Sequence, residues 1–249
     1  MRYRLLGAAL GLAAVTLAAP SHVGLTRAAT TGLTPAAAAA APQLVQSTGA
    51  SETSAATALT ASFPAPTLGG SLLVLSASIY TGTTNQIRSV TDSAGNTWTK
   101  VGAYDTSGHY SDGELWYTAN AGPTTTVTVH VKSATTISME LFDFTGVATS
   151  PLDSSAGASS TGTSAASGTA TSGASNELAV GFVAGHSSAQ AITPVAAGYT
   201  AEPEQTSTGT NTASVVAAFE VLSTQSATAF SATFDSSMYW AAGVAIFKP

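Results

Sequence analysis

Cysteine is missing altogether, and charge is nearly so: only 8% of the 249 residues are Asp, Glu, Lys or Arg. Without a thiol the chain has no disulfide, no cysteine nucleophile and no thiolate metal ligand, so a packed core and a hydrogen-bond ladder must hold it together. Basic residues are scarcest. Of seven Lys and Arg, Arg2, Arg4 and Arg27 fall in the first 29 residues, leaving four against 13 acidic residues. Those four, Arg88, Lys100, Lys132 and Lys248, stand singly. A phosphate-binding surface needs clustered cations, so no nucleic-acid partner is expected. The chain beyond its start also lacks a 3.6-residue apolar period, an apolar run of membrane-spanning length and a G-x-S-x-G nucleophile elbow.

What is present begins with Arg2 and Arg4, which lead directly into the apolar stretch Leu5–Ala19 and then into small residues. That order reads as a signal peptide over residues 1–29, with cleavage near Ala18 or Ala28. A secreted, extracellular protein with no stable membrane insertion after cleavage is therefore expected. Residues 30–42 carry a six-alanine run between Pro35 and Pro42 and read as a linker, because so short a run without an apolar face is a marginal helix. Residues 43–249 remain for one β domain of ordinary size.

Period-2 alternation marks the strands. In Thr124–Lys132, Val127, Val129 and Val131 alternate with Thr126, Thr128, His130 and Lys132, one face for a core and one for water. Comparable runs are Ser71–Tyr80, Thr97–Tyr104, Glu114–Ala119, Ile137–Phe144, Glu177–Gly185, Ser214–Leu222, Ala229–Phe234 and Tyr239–Phe247. LLVLSASIY and ELAVGFVAG are small or apolar on both parities, as in strands covered on both sides. Asp92-Ser93-Ala94-Gly95-Asn96 reads as a hairpin loop. The Ser/Thr/Ala/Gly-rich stretch from Pro151 to Asn176 reads as a mobile tip with at most an irregular edge strand. Gly69–Ala77 and Ala174–Ala184 share a small-residue turn followed by an apolar strand, an echo of two related halves. The expected class is all-β, an antiparallel two-sheet sandwich of jelly-roll-like form.

The stretches VTDSAGNTWTK (Val90–Lys100), ELWYTANAG (Glu114–Gly122), FDFTGVATSPLD (Phe142–Asp153) and WAAGVAIFK (Trp240–Lys248) together resemble an uncharacterised jelly-roll-like β-sandwich module of secreted bacterial proteins and some phage structural proteins. The resemblance covers most of residues 43–249. It implies a sandwich without an assigned activity, often beside adhesive or carbohydrate-related modules, and brings no catalytic residues.

No constellation for chemistry stands out. The histidines, His22, His109, His130 and His186, are dispersed and fit loop or solvent-face positions, so no triad and no zinc site is assigned. Glycoside hydrolysis needs two facing carboxylates. Glu114, Glu140 and Asp143 are the acids set in good strands; Glu140 and Asp143 have opposite parity, and Glu114 can meet Glu140 only across strands. Asp92, Asn96, Asp105 and Asp112 offer oxygen near loops, where a structural calcium could sit, although Asx-turn capping is the preferred reading of them and no EF-hand loop occurs. No catalytic residue, metal ligand or cofactor is assigned.

Aromatics give the binding hint, since sugar rings lay their C–H faces on exposed aromatic rings. By parity Trp116 shares a face with Glu114 and Thr118, opposite Leu115, Tyr117 and Ala119; Tyr104 and Tyr110 flank the preceding loop. Tyr104, Tyr110 and Trp116 are thus expected to line a shallow, polar-rimmed groove. The expected function is a noncatalytic extracellular binding module for glycan or a cell surface. The alternative is a structural or assembly subunit using a flexible N-terminal segment, residues 41–51, or an exposed edge strand; a secreted glycan-active hydrolase comes third. Export gives a first test: protein recovered from culture medium should have the intact mass of a chain cleaved near Ala18 or Ala28, and a mass that includes Met1 would refute the signal peptide.

Overall fold

A computed structural model describes residues 40–106, 108, 110–186, 191–209 and 211–249. The expected signal peptide, nearly all of the expected linker and His109 lie outside these residues. The described chain first forms β1 (Gln43–Ser51), β2 (Ala56–Ser62), β3 (Ser71–Ile79), β4 (Ile87–Asp92), β5 (Thr99–Asp105), β6 (Asp112–Ala121), β7 (Thr126–Thr135) and β8 (Ile137–Thr145). These make a five-stranded sheet, β1-β8-β3-β6-β5, and a three-stranded sheet, β2-β7-β4. There follow β9 (Leu152–Ala166), β10 (Ala170–Thr171), β11 (Glu177–His186), β12 (Thr193–Pro194), β13 (Thr200–Ala201), β14 (Gln205–Thr206), β15 (Ser214–Leu222), β16 (Ala227–Thr228) and β17 (Ser231–Phe247). They form a seven-stranded sheet ordered β12-β17-β11-β15-β13, with β9 on β17 and β14 on β15, and a β10-β16 pair. Every pairing is antiparallel. No helix occurs among the described residues.

The all-β antiparallel sandwich read from the sequence is what forms, with more layers than two. Leu73, Leu75, Ile79 and Met139 of the five-stranded sheet pack against Val127, Val129 and Val131 of the three-stranded one. The other face of the five-stranded sheet, with Leu72, Val74, Phe142 and Phe144, meets Leu178, Val180, Phe182 and Phe247 of the seven-stranded sheet. On the far side of that sheet Val183, Val216 and Trp240 are covered by Ile192, Phe230 and Phe234. Strand β3 is consequently buried at all nine positions, which is why its sequence is small or apolar on both parities. In the first half, β1-β8-β3-β6 and β2-β7-β4 interleave as paired Greek keys do. The order departs from a full jelly roll at β5, which pairs with β6 and not with β4.

The two halves repeat one topology. The order β1-β8-β3-β6 recurs as β9-β17-β11-β15, and the pair β2-β7 recurs as β10-β16. Register agrees as well: Leu72 faces Phe144 across the ladder as Leu178 faces Phe247. Gly70 and Asn176, each just ahead of its strand, both adopt positive φ, 91° and 61°. The Gly70 N–H donates to the Ala121 carbonyl at 2.8 Å and that of Asn176 to Leu222 at 2.7 Å. Likewise Phe63 donates to Thr125 and Ser172 to Ser226, both at 2.9 Å. Aromatic contacts across the seam are reciprocal, Tyr117 on Phe247 at 5.5 Å and Phe219 on Phe144 at 5.4 Å. The echo between Gly69–Ala77 and Ala174–Ala184 is therefore β3 repeated as β11. One exchange stands out: where β3 places Leu75 and Ile79 on its outer face, β11 has Gly181 and Gly185, because Phe230 and Met238 occupy the space a Cβ would need.

Two stretches are more ordered than their composition suggests. Residues 152–166, expected to hold at most an irregular edge strand with a mobile tip, form the 15-residue strand β9 along β17. Their small side chains allow Tyr104 to lie against them, and any side chain at Gly157 would run into its ring. Residues 43–51, expected as a flexible segment, are strand β1 paired with β8. The Asp92–Asn96 turn joins β4 to β5, so it crosses between sheets and is not a hairpin.

Because one apolar seam joins both halves, Phe182→Ala should destabilise the protein by about 3–5 kcal/mol. Thermal unfolding should stay a single transition; two separable transitions would show that the halves do not depend on the shared seam.

Candidate functional site

Trp116, expected at the surface, is only 9% exposed and belongs to the core between the five- and three-stranded sheets. Its Nε1–H donates to Glu114 Oε2 at 3.0 Å, and the Lys100 ammonium lies 4.6 Å from its ring centroid. Tyr104 points to the opposite face of the same sheet, where it packs near Phe182 at 6.3 Å in the seam. Only Tyr110 of the expected three is at the surface, 47% exposed. The three side chains do not share a groove. The parity of Trp116 was read correctly; the face it points to is covered by a sheet that pattern alone does not supply.

Tyr110 does line a groove, with different companions. It sits at the tip of the β5–β6 turn with φ 63°, a conformation uncommon for a bulky residue. Its ring stacks on Tyr80 at 4.9 Å with planes 10° apart. His186 meets the edge of Tyr80 at 4.5 Å, and its Nδ1 lies 3.0 Å from the Thr212 carbonyl, to which it donates. Tyr80 directly follows β3 and His186 ends β11 at the corresponding position, so the groove lies where the two halves meet. Tyr80 is pinned at both backbone atoms: its N–H donates to the Thr136 carbonyl at 3.1 Å, and its own carbonyl accepts from the Thr135 hydroxyl. The cavity beside the tyrosines has a volume of about 310 Å³, and Thr81, Gln86, Ser133, Thr136 and Asn211 contribute polar lining. Tyr80 and Asn211 carry no local motif; they join Tyr110 only through the fold.

Beneath the Gln86 wall lies a buried polar network. Asp112 Oδ2 accepts the Gln86 N–H at 3.0 Å, and Glu114 Oε1 accepts the Ile87 N–H at 2.7 Å. Carboxylates of the middle sheet thus hold the start of β4. Lys100 pairs with Glu114 Oε2 at 2.5 Å and also binds the Asn85 side-chain oxygen. Burial first, then the neighbouring Glu114 charge, pushes the Asp112 carboxyl up to about 8. Glu140 is also pushed up to about 8, by burial and then by Glu202.

The remaining acids are dispersed. Glu114 pairs in register with Ala77, and Glu140 with the next residue, Ser76, so the two carboxylates project from opposite faces of the sheet. Asp143 is on the face opposite Glu140 and accepts from Gln46 at 3.1 Å. Asp92 caps its own turn, accepting from Ala94 and Asn96 N–H at 2.9 and 3.1 Å and from Trp98 Nε1 at 2.8 Å. Burial acts to raise its carboxyl, but these hydrogen bonds outweigh it and hold the group below the usual range. Asp105 and Asp112 face each other across β5 and β6, apart from Asp92 and Asn96 in the β4–β5 turn. Among the described residues no group of three or more His, Asp or Glu is placed to hold a metal.

No known protein family, curated protein or solved structure matches the chain.

A raised carboxyl favours folding while it keeps its proton, because the folded state binds a proton that the unfolded state has released. For Asp112 and Glu140 that advantage is complete at about pH 4 and is lost as pH rises towards about 8. The melting temperature should fall between pH 5 and pH 8, and Asp112→Asn should flatten the decline. A melting temperature that rises over this range would contradict the assignment.

Proposed function

We propose that the chain is a noncatalytic extracellular binding module for glycan or a cell surface, and that the Tyr80–Tyr110 groove is its site. The observation that carries the reading is the exposed Tyr110 ring, stacked on Tyr80 at the mouth of a cavity whose remaining wall sets hydroxyls and amides among the small residues Ala55, Gly82 and Ala134. Such a surface offers an apolar plate for sugar C–H groups and short-range donors and acceptors for hydroxyls. The stacked pair and the doubly bonded Tyr80 backbone hold the plate in place before any ligand arrives, which lowers the ordering cost of binding. The N-terminal signal pattern supports an extracellular setting. A hydrolase is disfavoured because Glu114 and Glu140 lie on opposite faces of one sheet.

A glycan array probed with the purified protein should give positive spots, and Tyr110→Ala should remove them at unchanged melting temperature. Binding that survives Tyr110→Ala would move the site elsewhere, and a blank array would count against a glycan ligand.

A further inference from the structure

A second cavity, about 280 Å³ in volume, adjoins the first. Its outer part is formed by Thr53, Ser54, Thr208 and Gly209, while Ala55, Thr136 and Asn211 border both cavities. We infer that the two cavities form one cleft with two subsites for a linear, uncharged oligosaccharide, one sugar stacking on Tyr110 and the next units hydrogen-bonding in the Thr53–Thr208 part. This rests on the glycan reading above and specifies its ligand.

Three features carry it. Size comes first: each cavity alone lies near the lower limit of the range in which ligand pockets occur, roughly 300–1,000 Å³, whereas the continuous cleft lies inside it. The chemistry of the wall is second. No described residue lining either cavity carries a charge; the polar groups are Thr, Ser, Asn, Gln and Tyr side chains and backbone. Carboxylated, sulfated or phosphorylated sugars are recognised through Arg or Lys, which this wall does not offer. Fixity of the junction is third. The Thr136 hydroxyl donates to the Asn211 carbonyl at 2.6 Å, and the Thr208 N–H donates to the Glu52 carbonyl at 3.1 Å. These bonds tie the β1–β2 and β7–β8 turns of the first half to the β14–β15 loop of the second, so the cleft crosses the seam on a braced floor. The aromatic plate is confined to one end, which gives the subsites different roles: stacking at Tyr110, and hydroxyl recognition beyond Asn211.

The test is calorimetric titration of the purified protein with mono- to hexasaccharides of glucose, xylose, mannose and N-acetylglucosamine, and with oligogalacturonates as acidic counterparts. Affinity should rise at least roughly tenfold from monosaccharide to tetrasaccharide in one neutral series, and the oligogalacturonates should bind more weakly. Ser54→Arg fills the second cavity from an exposed turn. It should bring the tetrasaccharide down to about the monosaccharide's affinity and leave the monosaccharide unchanged; Thr208→Arg serves if Ser54→Arg lowers the melting temperature. Equal affinity for all lengths, or indifference to both substitutions while Tyr110→Ala still abolishes binding, overturns the second subsite and leaves the glycan reading standing. Tighter binding of oligogalacturonate overturns the uncharged ligand. Absence of binding in every series, neutral and acidic, overturns the glycan reading itself.

Discussion

The apolar seam between the two large sheets is the constraint from which the rest of the structure follows. Leu72, Val74, Phe142 and Phe144 on one side and Leu178, Val180, Phe182 and Phe247 on the other bury their side chains against one another. Each such side chain contributes about 1.5–3 kcal/mol when taken out of water. Because each sheet is also covered on the outer face of its central strands, β3 is buried at every position and β11 at all but its last. A chain without cysteine thereby obtains several contiguous cores in place of covalent cross-links. The reciprocal contacts of Tyr117 with Phe247 and of Phe219 with Phe144 give the seam an approximate two-fold character, as in an isologous interface between like subunits.

Burial on both faces makes polar groups in the middle sheet a liability that the fold must offset. Glu114 is fully buried and hydrogen-bonded by Trp116 and the Ile87 amide, with Lys100 as its counter-charge. Asp112 is equally buried and is pushed towards its neutral form. Unpaired charge in such a setting would be far more costly than a bound proton. The same carboxylates hold the first residues of β4, so satisfying them also fastens the three-stranded sheet to the middle layer. Gln86, whose backbone N–H donates to Asp112, is part of the groove wall. The core and the candidate site thus share one hydrogen-bond network.

Duplicated strands did not yield duplicated details. The second half replaces the outward Leu75 and Ile79 of β3 with Gly181 and Gly185, and Phe230, just before β17, and Met238 of β17 fill the vacated volume. At the strand ends, Tyr80 and His186 occupy corresponding positions and touch. Tyr80 has Tyr110 as its partner, whereas His186 has the Thr212 carbonyl. The aromatic plate therefore exists on one side only, and the cleft runs from it across the seam.

Strand class, the repeated β3-like segment and the doubly apolar central strands were legible in the sequence, because alternation and side-chain size are local properties that survive any arrangement of neighbours. So was the opposite facing of Glu140 and Asp143. What covers each face was not. Trp116 reads as outward beside Glu114 and Thr118, yet a further sheet lies over it, and layer count depends on contacts between residues far apart in the chain. Residues 152–166 have a composition suited to a loose tip and become a strand because β17 offers a full-length ladder and Tyr104 needs small neighbours. Tyr110 could be singled out from its surroundings, whereas its stacking on Tyr80, 30 positions earlier, and their joint closure of a cleft with Asn211 were decided by tertiary structure alone. Sequence pattern sets which residues seek burial; only packing determines what they find there.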